Sequence, residues 1–345
     1  VEPPAEFGSE GLPRLNDGMG RSYSYLRLSV TDRCDFACVY CMPPSGEDDH
    51  AERPELLTFE ESARLARVLA ESGVDRIRFT GGEPLVRREV VRLVELVARA
   101  TGLSDLVMTT NGNRLSELAL PLRRAGLSGV NVSVDTLDAA RFRDITRGGE
   151  LARVLSGVHA ALDAGLEVKI NAVLMRGTND RDALALVDWA FDLGITPRFI
   201  ELMPLGEASK LPSSAFMSQA ELIALLDSRV AAIPSAEFVP EHGRGPARYL
   251  PARDGSARRV GFISAVSNEF CGSCNRLRVT ARGDVRACLA SRAATSLRDL
   301  MRAGKGDREI AWAVHAALGT KLAGHAFSDA EVAEHTHVGM SLIGG

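Results

Sequence analysis

SYLRLSVTDRCDFACVYCMP, residues 24–43, runs an alternating strand straight into three cysteines spaced C-x3-C-x2-C. Leu26, Leu28 and Val30 alternate with Arg27 and Ser29, so one face of the run is apolar and the other polar. The cysteines therefore follow the carboxyl end of a first strand. Five more strand-like runs come after it, at 74–80, 105–110, 130–135, 168–174 and 197–203. Between them lie stretches such as FEESARLARVLAESG, RREVVRLVELVARA and ELARVLSGVHAALDAG, with apolar residues three and four apart as in a helix. Six β-α units in order predict an α/β fold with a parallel sheet, a partial (β/α)6 barrel of the TIM type. No seventh or eighth unit is visible before the pattern changes after residue 204.

The two faces of these strands differ. One carries Ile77, Phe79, Val130, Val132, Val134, Val168, Ile170, Ile200 and Leu202 and must meet the helices. The other carries Arg78, Thr80, Thr109, Asn111, Asn131, Ser133, Asp135, Lys169, Asn171, Glu201 and Met203. A filled barrel would be apolar on its inner face too. The polar face predicts an open lumen that holds a polar, anionic ligand. An antiparallel sheet with one wet face is the alternative; the helical length between strands argues against it.

Beyond residue 204 come a Pro/Ser-rich loop, a helix near 217–230 and a Gly/Arg-rich connection. ARRVGFISAV and NRLRVTARGDVRACL then read as strands, and two helical stretches lie near 295–318. The expected organisation is a flexible leader at 1–20, a barrel at 21–235 and an α+β extension at 236–345 that closes the barrel. The leader, acidic and rich in Pro and Gly, has no basic start or apolar stretch of a secretory signal, so cytoplasmic residence is expected. A net charge of −4 and 5% aromatic residues point away from nucleic acid and membrane as partners. The basic residues are almost all arginine; the lysines are Lys169, Lys210, Lys305 and Lys321.

The six cysteines form two triads, Cys34, Cys38, Cys41 and Cys271, Cys274, Cys288. Such grouping suits metal or redox chemistry better than disulfides. Three thiolates can hold three irons of a [4Fe-4S] cube, whereas electron-transfer clusters ordinarily use four cysteines. The fourth iron is then open. S-adenosylmethionine fits that vacancy through its amino and carboxylate groups, and an electron from the cluster can break a carbon–sulfur bond to release an adenosyl radical. Zinc is the rival for each triad, a knuckle at the first and a ribbon at the second. It generally wants four N/S ligands, and no histidine lies within either triad.

The first triad, with Tyr40 before its last cysteine and FTGGEPL at the end of the second strand, resembles the radical S-adenosylmethionine superfamily. RLSVTDRCDFACVYCMP, IRFTGGEPLVRR, TTNG, GVNVSVDTLD, VKINAVLMRG, FIELMPLG, CGSCNRLRVT and the final IGG occur in that order. Together they resemble the GTP 3′,8-cyclase family of molybdenum-cofactor biosynthesis, from residue 22 to 345. SGEDDHAERPE (45–55) carries no family signature.

The resemblance implies two [4Fe-4S] clusters, one on each triad, and S-adenosylmethionine contacts at Tyr40, Gly82, Ser133 and Met203. It implies GTP contacts at Arg27, Arg78, Thr109, Lys169, Arg276, Leu277 and Arg278. Arg276, Arg278 and the tail glycines Gly344 and Gly345 would serve catalysis. The implied reaction turns GTP into 3′,8-cyclo-7,8-dihydroguanosine triphosphate, the second cluster's open iron binding guanine. An external donor of the reductase or flavodoxin type would supply electrons, and cyclic pyranopterin monophosphate synthase would take the product. The chain would be a monomer or homodimer. A radical enzyme acting on a peptide is the runner-up.

Overall fold

The computed structural model describes residues 11–46, 49–231, 239–240, 245–289, 295–324 and 340–342. The six expected strands are β1 (Tyr25–Ser29), β2 (Arg76–Thr80), β3 (Leu106–Thr110), β4 (Gly129–Ser133), β5 (Glu167–Val173) and β6 (Thr196–Ile200). They pair in sequence order, every pair parallel. Between them run α1 (Phe59–Glu71), α2 (Val90–Thr101), α3 (Leu115–Arg124), α4 (Ala139–Thr146), α5 (Leu151–Asp163) and α6 (Ala183–Asp192). Local chemistry sets their ends. Thr58 accepts from the backbone N–H of Glu61 at 3.0 Å while Glu61 reaches back to Thr58, a capping box that starts α1. Leu65, Val68 and Leu69 then form its buried stripe.

The remaining strands are β7 (Val239–Pro240), β8 (Arg248–Pro251), β9 (Arg259–Ile263), β10 (Arg276–Val279), β11 (Asp284–Arg286) and β12 (Thr295–Ser296). They widen the sheet on both sides rather than close it. β10 pairs parallel with β1, and β9 pairs parallel with β6, so the parallel sheet has eight strands. Antiparallel β11 and β12 extend one side, and β8 and β7 the other. The ends of the sheet, β12 and β7, do not pair among the described residues, so the barrel stays open. Helices α7 (Gln219–Leu225), α8 (Leu297–Arg302) and α9 (Asp307–Leu318) complete the C-terminal region.

Leu26, Leu28, Ile77, Phe79, Val130, Val132, Val168 and Ile170 pack in the core, the helix-facing side read from the sequence. β6 departs from that reading. Its core residue is Phe199, while Arg198 and Ile200 turn inward, because Asn171 and Val173 of β5 stand beside them in register. The strand ends at Ile200, and the Glu201 carboxylate accepts from the backbone N–H groups of Gln219, Val266 and Ser267.

One other segment differs from expectation. Within the supposed leader, Leu12 and Leu15 are buried, and Asn16 bridges Ser22 across a tight antiparallel turn. Residues 49–57 lie against the C-terminal region. Arg302 donates to the carbonyl oxygens of Pro54 and Leu56, Arg282 pairs with Asp49, and Ala51 packs with Ala281. Among the described residues no helix is long and apolar enough to cross a membrane.

Candidate active site

The inner face of the open barrel encloses a cavity of about 330 Å³ lined by residues of all eight parallel strands. Arg27 of β1 stands in register with Arg78 of β2 on one side and Arg278 of β10 on the other. Neighbouring strands are about 4.8 Å apart, and like charges placed directly opposite repel. Arg198 and Arg276 line the same cavity. Arg78 Nη1 donates to Thr109 Oγ1 at 3.0 Å, and its Nε donates to the Tyr25 hydroxyl.

The charges mark one another. Burial would raise the Tyr25 hydroxyl, yet Arg78, Arg76 and Arg27 outweigh it and bring the group down to about 8. Burial, and then the neighbouring Arg276, lowers Arg278 to about 10. Burial and Arg278 together push Arg27 well down. Arg198 Nε and Nη2 have no hydrogen-bond partner among the described residues. Such a surface favours a multiply charged anion, for which guanidinium forks are suited donors.

The first triad sits where β1 hands over to its loop, and all of Cys34, Cys38 and Cys41 line the cavity. Burial and the nearby Glu83 push the Cys34 thiol up; burial and Asp135 do the same to Cys38. A positive centre there would reverse both shifts. Tyr40 donates from its hydroxyl to Asp135 Oδ2 at 2.7 Å, and Asp135 Oδ1 accepts from the Val173 N–H at 2.8 Å. Burial raises Asp135 to about 6. Glu83 accepts from the N–H groups of Leu85 and Asn111 and from Thr110 Oγ1. Burial still raises it to about 7.

Cys271, Cys274 and Cys288 line the same cavity, the first two just ahead of β10 and the third just after β11. Burial would raise the Cys274 thiol, but Arg276 and Lys321 outweigh it and bring it down to about 6. None of the six cysteines is in a disulfide, and all are partly exposed. Three thiols per triad on the wall of one shared cavity are the donor set of an iron–sulfur cube that keeps one iron open.

Tyr40, Gly82, Ser133, Met203, Arg27, Arg78, Thr109, Arg276 and Arg278 all line this one cavity. Lys169 shares the inward face of β5 but lies near the start of the strand, paired with Glu167 at 3.0 Å, and off the cavity wall. The Leu277 side chain is fully buried in the helix-side core, so only its backbone faces inward. Gly344 and Gly345 lie outside the described residues, although Met340 and Ser341 reach the cavity. Sequence reading missed Arg198, Arg21 and Lys321, which also line it. Only the parity of Arg198 with Ile200 within TPRFI could have found the first.

Residues 28–190 match the Radical SAM superfamily, and residues 195–327 match Molybdenum Cofactor Synthesis C. GTP 3′,8-cyclase 1 of Pseudomonas aeruginosa is 47% identical over 317 residues, 91% of this chain and 94% of that protein. The GTP 3′,8-cyclase of Rhodopseudomonas palustris is 43% identical over 91% of this chain and 90% of its own length. That of Caulobacter vibrioides is 41% identical over 96% and 94%. Among solved structures, Streptococcus suis SuiB bound to S-adenosylmethionine superposes with a TM-score of 0.59 at 15% identity, over 86% of this chain and 68% of that one. That likeness concerns the fold alone. At these identities and this coverage, the chain belongs to the GTP 3′,8-cyclase family within the Radical SAM superfamily.

Proposed function

We propose that this chain converts GTP to 3′,8-cyclo-7,8-dihydroguanosine 5′-triphosphate, the first step of molybdenum-cofactor biosynthesis. The observation that carries the reading is the row Arg278, Arg27, Arg78, in register on one cavity wall between the two cysteine triads. With its cofactors bound, the site would supply an adenosyl radical to take hydrogen from the ribose 3′ carbon; the 3′ carbon would then bond to carbon 8 of guanine, and one electron and one proton would complete the 7,8-dihydro ring.

Cys34, Cys38 and Cys41 hold the cluster for S-adenosylmethionine, with Tyr40, Gly82, Ser133 and Met203 around that cofactor. Cys271, Cys274 and Cys288 hold the second cluster at the guanine end. Arg27, Arg78, Arg198, Arg276 and Arg278 offset the triphosphate, and Thr109 orients Arg78. Lys169 reaches the same anion by exchanging its Glu167 partner. Arg276, Arg278 and the tail glycines Gly344 and Gly345 complete the catalytic set.

The electron comes from a reductase or flavodoxin-type donor, and the product passes to cyclic pyranopterin monophosphate synthase. We assign the chain to the cytoplasm, in keeping with six cysteines outside any disulfide, as a monomer or homodimer.

The test is anaerobic incubation of the reconstituted, reduced protein with S-adenosylmethionine and GTP. The expected result is 5′-deoxyadenosine together with the cyclised nucleotide, both dependent on GTP. Release of 5′-deoxyadenosine that follows a peptide and ignores GTP would overturn the reading.

A further inference from the structure

Of the four lysines, Lys210 and Lys305 are exposed, while Lys169 and Lys321 are buried. Lys321 follows α9 and turns back toward the second triad. Its Nζ lies 3.2 Å from Cys274 Sγ and 3.5 Å from the carbonyl oxygen of Arg276. The ammonium also stands 4.5 Å from the centre of the Tyr23 ring. Among the described residues no carboxylate pairs with it, so its donors go to sulfur, a carbonyl oxygen and an aromatic face.

A second arginine fixes this arrangement from outside. Arg21 Nη2 donates to the carbonyl oxygens of Lys321 at 3.4 Å and Leu322 at 3.0 Å, while Nη1 donates to that of Cys271 at 3.0 Å. Asp17 Oδ2 accepts both from Arg21 Nε at 2.5 Å and from the Tyr23 hydroxyl at 2.6 Å. One guanidinium thus ties the backbone at the lysine to the first cysteine of the triad. Arg21, Tyr23 and Lys321 are each at most 7% exposed, so the contacts are sheltered from water.

We propose that Lys321 is a positioning residue for the second cluster: its ammonium holds the Cys274 sulfur and biases that cluster toward its reduced state, with Arg21 and Tyr23 holding the lysine in place. The inference rests on the cluster assignment made above. An N–H donor on a cysteine sulfur stabilises the more negative, reduced form and raises the potential. Arg276 Nη2 also donates to this sulfur, at 3.4 Å, so two cations converge on Cys274; the lysine adds a compact point charge whose three donors go to sulfur, oxygen and ring.

The test is a redox titration of the holoenzyme followed by electron paramagnetic resonance, in the native protein and in Lys321→Met and Lys321→Arg. The signal perturbed by S-adenosylmethionine marks the first cluster and serves as the internal reference. In Lys321→Met the other signal should move to lower potential by about tenfold in the reduction equilibrium, about 59 mV for one electron. Iron should stay near about eight per chain for two such clusters, and Lys321→Arg should recover most of the shift. An unchanged potential in Lys321→Met at full iron would overturn the proposal. So would loss of half the iron in that variant, which would make the lysine a folding residue only. Zinc in place of iron in the native protein would instead refute the cluster assignment, and this inference with it.

Discussion

A Cβ placed on Gly82 would stand 2.4 Å from the carbonyl oxygen of Arg33. Gly81 is tighter still, with a φ of +151° and a Cβ position 2.2 Å from the Thr31 oxygen. The backbone continues the contact, Gly82 N–H donating to Thr31 at 2.9 Å and Glu83 N–H to Arg33 at 2.8 Å. The double glycine is therefore the seat on which the first cysteine loop rests, in addition to any approach it allows a ligand.

Gly82→Ala should unseat that loop, since backbone on both sides leaves nothing flexible to move. Overpacking of this kind costs about 3 kcal/mol. The reconstituted variant is expected to lose half its iron, all from the first triad, with the second triad still loaded. Iron analysis together with a melting curve checks it.

Arg198→Ala should separate binding from folding. Two of its side-chain nitrogens lack partners among the described residues, and burial and Arg78 weigh against its charge while Tyr249 offsets them with a hydrogen bond, so its removal costs the free protein little. The melting temperature should hold. With a triphosphate present the loss is that of a charged hydrogen bond, about ten- to hundredfold in kcat/KM. Unaltered kinetics would take Arg198 out of the site.

Glu83 links pH to stability in the unloaded protein. Burial raises its carboxyl from 4.5 to about 7, so the folded chain keeps a proton that the unfolded chain has lost. Stability is then full below about pH 4.5 and declines as pH climbs to 7. Asp135, raised to about 6 by burial, adds to the same slope. Denaturant midpoints between these values should fall with pH, and Glu83→Gln should flatten much of the decline.

Arg302→Ala addresses residues 49–57. Arg302 donates to Pro54 and Leu56 and pairs with Glu61, and none of these lines the cavity. A loss of about 1–2 kcal/mol in stability is expected with KM for GTP unchanged. A raised KM would show that the segment influences the nucleotide after all.

Much of this was written locally. Alternation in SYLRLSV and GVNVSVD separates core from lumen because each residue turns the side chain over, and Leu26 against Arg27 leaves no ambiguity. The cysteine spacings and GGE are equally local. β6 failed because Pro197 and Phe199 are as apolar as Ile200, so both faces read alike and the parity slipped by one. β9 and β10 were legible as strands, but not which barrel strands they flank. Pairing Tyr25 with Arg276 joins residues far apart in the chain, and nothing in either segment announces its partner. Lys321 escaped for the same reason, its sulfur neighbour lying 47 positions earlier.

The late strands have a consequence for biogenesis. A growing chain that has completed β6 still offers raw hydrogen-bonding margins along Tyr25–Ser29 and Thr196–Ile200. Such margins invite pairing with other molecules. Both are covered only after residue 279 has left the ribosome, so the nascent protein spends most of its synthesis sticky at two borders. Fragments truncated before β9 should clump, and shelter for oxygen-sensitive metal loading arrives with the last quarter of translation.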